Sequence, residues 1–147
     1  MQRFYVPTWL PRIRAFIKDV ETQINATDED TLIIAHSFGG LVSKKALKAI
    51  KRNNIKLVTL ATPHTASWLT KWGEVETAKR KLQIPRECER LCKTYGGQYD
   101  TVVFKEIATL PGVPQEVMKT IHQGFLWDEK IRKKIIEDFL VSLVQDF

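Results

Sequence analysis

The sequence has no apolar run long enough to cross a membrane. A transmembrane helix needs about 20 consecutive apolar residues, and no apolar stretch of this chain approaches that length. The N-terminal segment M-Q-R-F-Y-V-P-T-W-L also lacks the long apolar core and the small-residue cleavage site of a secretion signal. We therefore expect a soluble, cytoplasmic protein without a membrane span.

Cysteine is scarce as well, because the chain contains only two. Cys88 and Cys92 are four residues apart in a stretch that we predict to be helical. The two further cysteine or histidine ligands that a structural zinc site requires are not present at metal-binding spacing. Two free thiols are the favoured interpretation. The sequence implies neither a metal ion nor an organic cofactor.

Basic residues outnumber acidic ones by 23 to 17, which gives a formal net charge of +6. Such a charge could attract nucleic acid or acidic surfaces. The basic residues are scattered along the chain, however, and we do not expect a nucleic-acid partner. Five basic residues follow Gly39 and Gly40, and we interpret them as the solvated side and end of a helix: Lys44, Lys45, Lys48, Lys51 and Arg52.

Strand and helix patterns alternate along the 147 residues, a length that fits one domain, 1–147, with a substantial core. Parallel strands need crossover connections, so this alternation predicts an α/β fold with a mainly parallel sheet and helices on both faces. The predicted strands are 3–6, 32–34, 55–61 and 117–121, with a possible one before 95–103. The predicted helices are 13–24 after Pro11, 41–50 and 131–143, with a weaker amphipathic region over 68–93.

The segment T-L-I-I-A-H-S-F-G-G-L, residues 31–41, joins a buried strand to a helix through a serine among small residues. A tight strand-to-helix turn strains the backbone of its central residue and needs small neighbours. Ala35, Gly39 and Gly40 provide that space around Ser37. Ligands of parallel sheets bind beyond the carboxyl ends of the strands, and amides at a helix N-terminus can face an anion. The segment therefore predicts an exposed, nucleophilic hydroxyl.

These residues resemble the nucleophile elbow G-x-S-x-G of the α/β-hydrolase superfamily, with Ala35 in place of the first glycine. Two later segments follow that superfamily's order of serine, acid and histidine. Y-G-G-Q-Y-D-T-V-V at 95–103 is similar to the acid-bearing segment, and H-Q-G-F-L-W-D at 122–128 is similar to the histidine loop. T-L-A-T-P-H at 59–64 is similar to the strand after the elbow in lipases and esterases. The resemblance extends from about residue 5 to residue 146.

The resemblance implies a serine hydrolase that cleaves a carboxylic ester or a related acyl bond of a small-molecule substrate. Ser37 would attack the acyl carbon to form an acyl-enzyme, while His122 accepts its proton. Asp100 would hold the imidazole in the correct tautomer and stabilise the imidazolium. The backbone amide of Phe38, next to the serine, would stabilise the oxyanion.

The acid is the weakest of these assignments, because aspartate is also common in turns. Glu106 or Asp128 could supply the carboxylate in place of Asp100. The two remaining histidines, His36 beside the elbow and His64 in a turn after a strand, are interpreted as structural.

Two tryptophans are further candidates for contact with substrate. Trp68 and Trp72 are four residues apart, so they lie on one face of the predicted helix and could line an acyl pocket. A tryptophan pair at this spacing is more often a packing contact, and packing is the favoured interpretation.

The sequence departs from the resembled superfamily ahead of the elbow. In that superfamily a second oxyanion donor comes from a loop after an early strand, often with an H-G signature. The residues before Ser37 contain no segment that matches this loop. We therefore expect a minimal fold that lacks the first strands. Three explanations stay open: a minimal hydrolase, a weak or inactive hydrolase-like binding module, or a homodimer whose second subunit completes the site. An uncovered edge strand would favour self-association.

Overall fold

The computed structural model describes residues 13–65 and 90–145 of the chain. The elements follow one another in the order α1 (Ile13–Asn25), β1 (Thr31–His36), α2 (Phe38–Leu47), β2 (Ile55–Leu60), β3 (Leu91–Gly97), β4 (Gln115–Met118), α3 (Gly124–Trp127) and α4 (Glu129–Gln145). The predicted strand at 3–6, Pro11, and the tryptophan pair Trp68 and Trp72 lie outside the described residues.

The four strands form one sheet in the order β1-β2-β3-β4, and every neighbouring pair is parallel. Ala35 lies beside Thr59 in the first pair, and Gly97 lies beside Met118 in the last. Because all four strands run in one direction, their carboxyl ends meet at a single edge of the sheet. The parallel α/β sheet predicted from the alternating pattern is confirmed.

Strand β2 shows why both faces of the sheet are covered. Its side chains alternate between two apolar clusters: Leu57 packs with residues of α1 and α2, whereas Val58 packs with residues of α3 and α4. Both side chains are almost fully buried. A strand between two layers of helices needs apolar residues at successive positions, which explains the run I-K-L-V-T-L.

Two strands differ from the sequence-based prediction. Residues 91–93 are predicted at the end of a helical region but begin β3, so Cys92 lies on a strand. A short apolar stretch does not distinguish a buried strand from a helix, and here Leu91 is buried in the sheet. The last strand is Gln115–Met118 instead of 117–121, and Ile121 is 52% exposed in the following loop.

The prediction of a solvated basic side on the helix after the elbow is wrong for Lys44. This side chain is 1% exposed, and its Nζ lies 3.4 Å from Nδ1 of His64. Arg52 is half-buried, and its guanidinium donates hydrogen bonds to the backbone carbonyls of Ile24 and Glu29. Charge counting alone did not reveal that α2 packs against both α1 and the sheet.

Helix α4 is joined to the sheet by four charged side chains and one tyrosine, which we call the α4 network: Lys93, Tyr95, Glu116, Lys134 and Asp138. Lys93 Nζ lies 2.7 Å from Glu116 and 3.1 Å from Asp138, and Lys134 Nζ lies 2.7 Å from Asp138. The Tyr95 hydroxyl also donates to Asp138 at 3.0 Å. Neither α4 nor any other helix in the described ranges combines the length and apolarity needed to cross a membrane.

Candidate active site

Ser37 lies in the turn between β1 and α2, with φ 52° and ψ −129°. A positive φ is costly for a residue that carries a side chain and persists only where the surroundings hold it. Here the Ser37 N–H donates to the carbonyl of Leu60 at 2.8 Å, and its own carbonyl accepts from Gly40 N–H at 3.1 Å. The turn therefore holds the serine hydroxyl at the carboxyl edge of the sheet.

Close packing around the turn accounts for the small residues on either side of Ser37. A Cβ on Gly40 would lie 2.6 Å from Cγ2 of Thr62 and would also clash with the threonine hydroxyl. Gly39 is half-buried in the first turn of α2, and Ala35 is 7% exposed at the end of β1. Gly40 is thus required so that α2 can approach the end of β2.

His122 lies in the loop between β4 and α3, and its ring bridges two of the predicted site residues. Nε2 lies 2.9 Å from Oγ of Ser37, and Nδ1 lies 2.8 Å from Oδ2 of Asp100. The His122 side chain is 9% exposed, and the Asp100 side chain is fully buried. Three residues far apart in sequence thus form one continuous chain of hydrogen bonds.

Asp100 lies in the loop after β3, where backbone amides fix its carboxylate. Oδ1 accepts hydrogen bonds from the N–H groups of Val102 and Val103, both at 2.8 Å. This leaves Oδ2 directed at His122. Gly97 makes room for the loop, because a Cβ there would lie 3.0 Å from Cβ of Asp100. This role of Gly97 was not predicted from the sequence, although the pair Gly96 and Gly97 shortly before Asp100 could have indicated close packing there.

The two alternative carboxylates have other surroundings. The Glu106 side chain is 69% exposed and lies 3.9 Å from Nζ of Lys105. Asp128 precedes α4 and accepts a hydrogen bond from the N–H of Lys130 at 2.9 Å, as a helix-capping residue does. Of the three carboxylates considered from the sequence, Asp100 is the one in contact with His122.

His36, interpreted from the sequence as structural, contacts the same loop. Its Nε2 lies 2.8 Å from the backbone oxygen of His122, and the two ring centroids are 4.6 Å apart at an angle of 51°. Burial lowers the pKa of His36 below its usual 6.5; the hydrogen bond to the carbonyl opposes this shift, and the charge of a protonated His122 adds to it. The ring is therefore neutral at neutral pH. Its position next to Ser37 was the one sequence signal for this contact.

Phe38 is the first residue of α2. Amides in the first turn of a helix have no intrahelical acceptor, and the helix dipole favours negative charge there. Within the described part of the chain, the Ser37 side chain makes no capping hydrogen bond to this turn. The Phe38 N–H is the first amide of α2 and lies at the positive end of the helix dipole. Across 13–65 and 90–145, no cluster of three His, Cys, Asp or Glu residues could hold a metal ion.

A parallel sheet with helices on both faces, with a strained serine turn at its carboxyl edge, is the fold that this chain shares with solved alpha/beta hydrolases. The chain belongs to the PGAP1-like alpha/beta domain family, whose family model matches residues 2–122. The family assignment agrees with the resemblance of the elbow segment.

Two solved structures share the fold. One is MGS-MChE2, an alpha/beta hydrolase enzyme from the metagenome of sediments from the lagoon of Mar Chica, Morocco, with a TM-score of 0.66 and 14% identity over 92% of this chain and 71% of its own. The other is a predicted CIB-like hydrolase from Thermoplasma acidophilum, with a TM-score of 0.58 and 16% identity over 87% of this chain and 59% of its own. No significant match was found among curated proteins.

Proposed function

We propose that the protein is a serine hydrolase that cleaves a carboxylic ester, or a related acyl bond, through an acyl-enzyme. The observation that carries the proposal is the hydrogen-bonded chain from Ser37 through His122 to Asp100. A serine hydroxyl is a weak nucleophile until an adjacent base accepts its proton. The 2.9 Å between Oγ and Nε2 is within the range for general-base catalysis.

The reaction begins when Oγ of Ser37 adds to the acyl carbon and its proton passes to Nε2 of His122. For Nε2 to accept, the neutral imidazole must carry its proton on Nδ1, and Oδ2 of Asp100 accepts a hydrogen bond from that position. The carboxylate also stabilises the imidazolium that forms. Asp100 therefore selects the tautomer that can accept the proton from Ser37, and it lowers the free energy of the imidazolium that results.

Negative charge develops on the former carbonyl oxygen at the N-terminus of α2. The Phe38 N–H is the donor that we assign to it, and one such donor is typically worth about 10² to 10³ in rate. When the tetrahedral intermediate collapses, the leaving group takes the proton from His122 and the acyl group stays on Ser37. A water then gives a proton to His122 as it attacks the acyl carbon. The bond to Oγ of Ser37 breaks, Oγ takes the proton back from His122, and the acid is released.

A fluorophosphonate probe tests the proposal, because it reports an activated serine without the natural substrate. We expect labelling of the wild type and none of Ser37→Ala. Ser43→Ala is the matched control: Ser43 is buried on α2, the helix that follows Ser37, and loss of its hydroxyl should leave labelling unchanged. A wild type that is folded but unlabelled would contradict the proposal and favour a hydrolase-like binding module.

A further inference from the structure

We propose that His36 is a positioning residue that holds the imidazole of His122 between Ser37 and Asp100 through a hydrogen bond to the His122 backbone. The inference rests on the proposed function and adds a residue to it. It starts from the 2.8 Å contact between Nε2 of His36 and the carbonyl oxygen of His122.

The chemistry of the two atoms fixes the direction of this hydrogen bond. A carbonyl oxygen can only accept, so Nε2 of His36 must carry a proton. Since burial lowers the pKa of His36, the ring is neutral at neutral pH and holds its single proton at this nitrogen. The bond therefore does not depend on protonation of the ring.

Two backbone-directed hydrogen bonds between described residues join the His122 loop to neighbouring segments, one from the loop after β3 and one from the end of β1. On one side, the N–H of Tyr99, which precedes Asp100, donates to the carbonyl of Thr120 at 3.1 Å. On the other side, His36, which precedes Ser37, donates to the carbonyl of His122. The two hydrogen bonds hold the backbone of this loop next to Asp100 on one side and next to Ser37 on the other. His36 supplies the attachment on the serine side.

The ring of His36 also restricts the neighbouring ring directly. The centroids of His36 and His122 lie 4.6 Å apart, so the His122 imidazole has little room to rotate towards β1. A neutral neighbour at this distance does not repel the imidazolium that forms during the proposed reaction, whereas a cation there would. Both effects favour a neutral donor side chain at position 36.

Two near-isosteric variants separate the hydrogen bond from side-chain volume. His36→Gln keeps an N–H donor on a chain of similar reach, and His36→Met has a similar length without a donor. We expect His36→Met to lower the rate constant of fluorophosphonate labelling about 10-fold, the effect of one lost hydrogen bond. His36→Gln should recover most of that loss. His64→Gln is the control, because His64 is also buried but contacts Lys44 and Thr59.

Proton NMR gives a second readout that does not require catalysis. The downfield resonance of the His122 Nδ1 proton, held by Asp100, should persist in wild type and His36→Gln and broaden or vanish in His36→Met. If His36→Met fails to fold, His36→Phe replaces it as the variant without a donor.

An unchanged labelling rate together with an unchanged Nδ1 resonance in the folded variant without a donor would overturn the role of His36. An unlabelled wild type would instead contradict the proposed function. In that case the NMR comparison alone would still support or refute the positioning role.

Discussion

Nε2 of His122 lies 2.9 Å from Oγ of Ser37, although the two residues are separated by 85 positions in sequence. The parallel sheet accounts for this proximity. Ser37 follows β1, Asp100 follows β3 and His122 follows β4, and all three strands end at one edge. Each side chain is placed by a loop at that edge, and no long side-chain reach is needed.

Replacement of Asp100 by asparagine tests the orientation of the imidazole. The amide oxygen of the new side chain could still accept the N–H groups of Val102 and Val103, so the loop should stay folded. Its NH₂ group would then face Nδ1 of His122 as a donor and favour the tautomer whose Nε2 carries the proton. We expect Asp100→Asn to lower the rate of fluorophosphonate labelling about 10⁴-fold.

Asp128→Asn is the matched control for this change, because Asp128 also accepts a backbone N–H but does so at the start of α4. Its labelling rate should equal that of the wild type. Equal rates in wild type and Asp100→Asn would show that the carboxylate has no part in activation of Ser37.

Gly40→Ala tests the close approach of α2 to the end of β2. The new Cβ would collide with the side chain of Thr62, and overpacking of this kind typically costs about 1 to 3 kcal/mol of unfolding free energy. Urea denaturation followed by circular dichroism measures the loss.

The double variant Gly40→Ala, Thr62→Ala should recover part of this loss, because it removes the two threonine atoms nearest the new Cβ. Thr62→Ala alone is the reference for the cycle. Strict additivity of the two single changes would show that the contact does not explain the glycine.

Asp138→Asn tests the α4 network. Partial burial alone would raise the pKa of Asp138, but hydrogen bonds from Lys134, Lys93 and Tyr95 lower it to about 2. Because the folded-state pKa is lower than the unfolded-state value of 3.8, the ionised carboxylate stabilises the folded protein at pH values above 3.8. This stabilisation is lost as the pH falls through about 2. We expect the variant to lose about 1 to 2 kcal/mol at neutral pH and to show a weaker decline in acid.

Glu137→Gln is the control for this experiment. Glu137 lies on the same helix, its side chain is 59% exposed, and it pairs with Lys133 at 3.8 Å. An exposed pair contributes little to stability, so the unfolding free energy should change little. Equal losses in the two variants would contradict a special role for the α4 network.

His64 should stay neutral in moderate acid. Burial and the charge of Lys44 lower the pKa of His64 to about 3. The unfolded chain binds a proton at this residue below about pH 6.5, so His64 contributes stability above that pH and loses it as the pH falls towards 3.

NMR should show a constant His64 ring shift in the folded protein from about pH 8 to about pH 5, and a midpoint near 6.5 in urea. His64→Gln should remove this residue's part of the stability loss in acid. A midpoint near 6.5 in the folded protein would contradict the buried contact with Lys44.

The strands of the core and the serine turn could be predicted because their patterns are local. The run L-I-I at 32–34 has the length and branching of a buried strand, and the small residues around Ser37 allow a strained turn. The order of serine, acid and histidine then suggested the other two residues. Single-domain organisation, cytoplasmic location, a possible homodimer and the absence of a nucleic-acid partner stay predictions.

Contacts between distant segments could not be predicted in the same way. The burial of Lys44 depends on the approach of His64, and the bond of His36 depends on the path of the loop that carries His122. Neither residue stands out by periodicity or spacing, since each needs a partner at least 20 positions away. The start of the strand at Leu91–Gly97 was missed because its apolar positions also fit a short helix.

The most direct test is to find where the acyl group goes. The protein is mixed with p-nitrophenyl acetate, quenched with acid during the first turnover, digested and analysed by mass spectrometry. We expect one acetyl group on the peptide that contains Ser37, and no such adduct in Ser37→Ala or in His122→Gln. A folded wild type without that adduct, or with acetyl groups on lysines alone, would contradict an acyl-enzyme at Ser37.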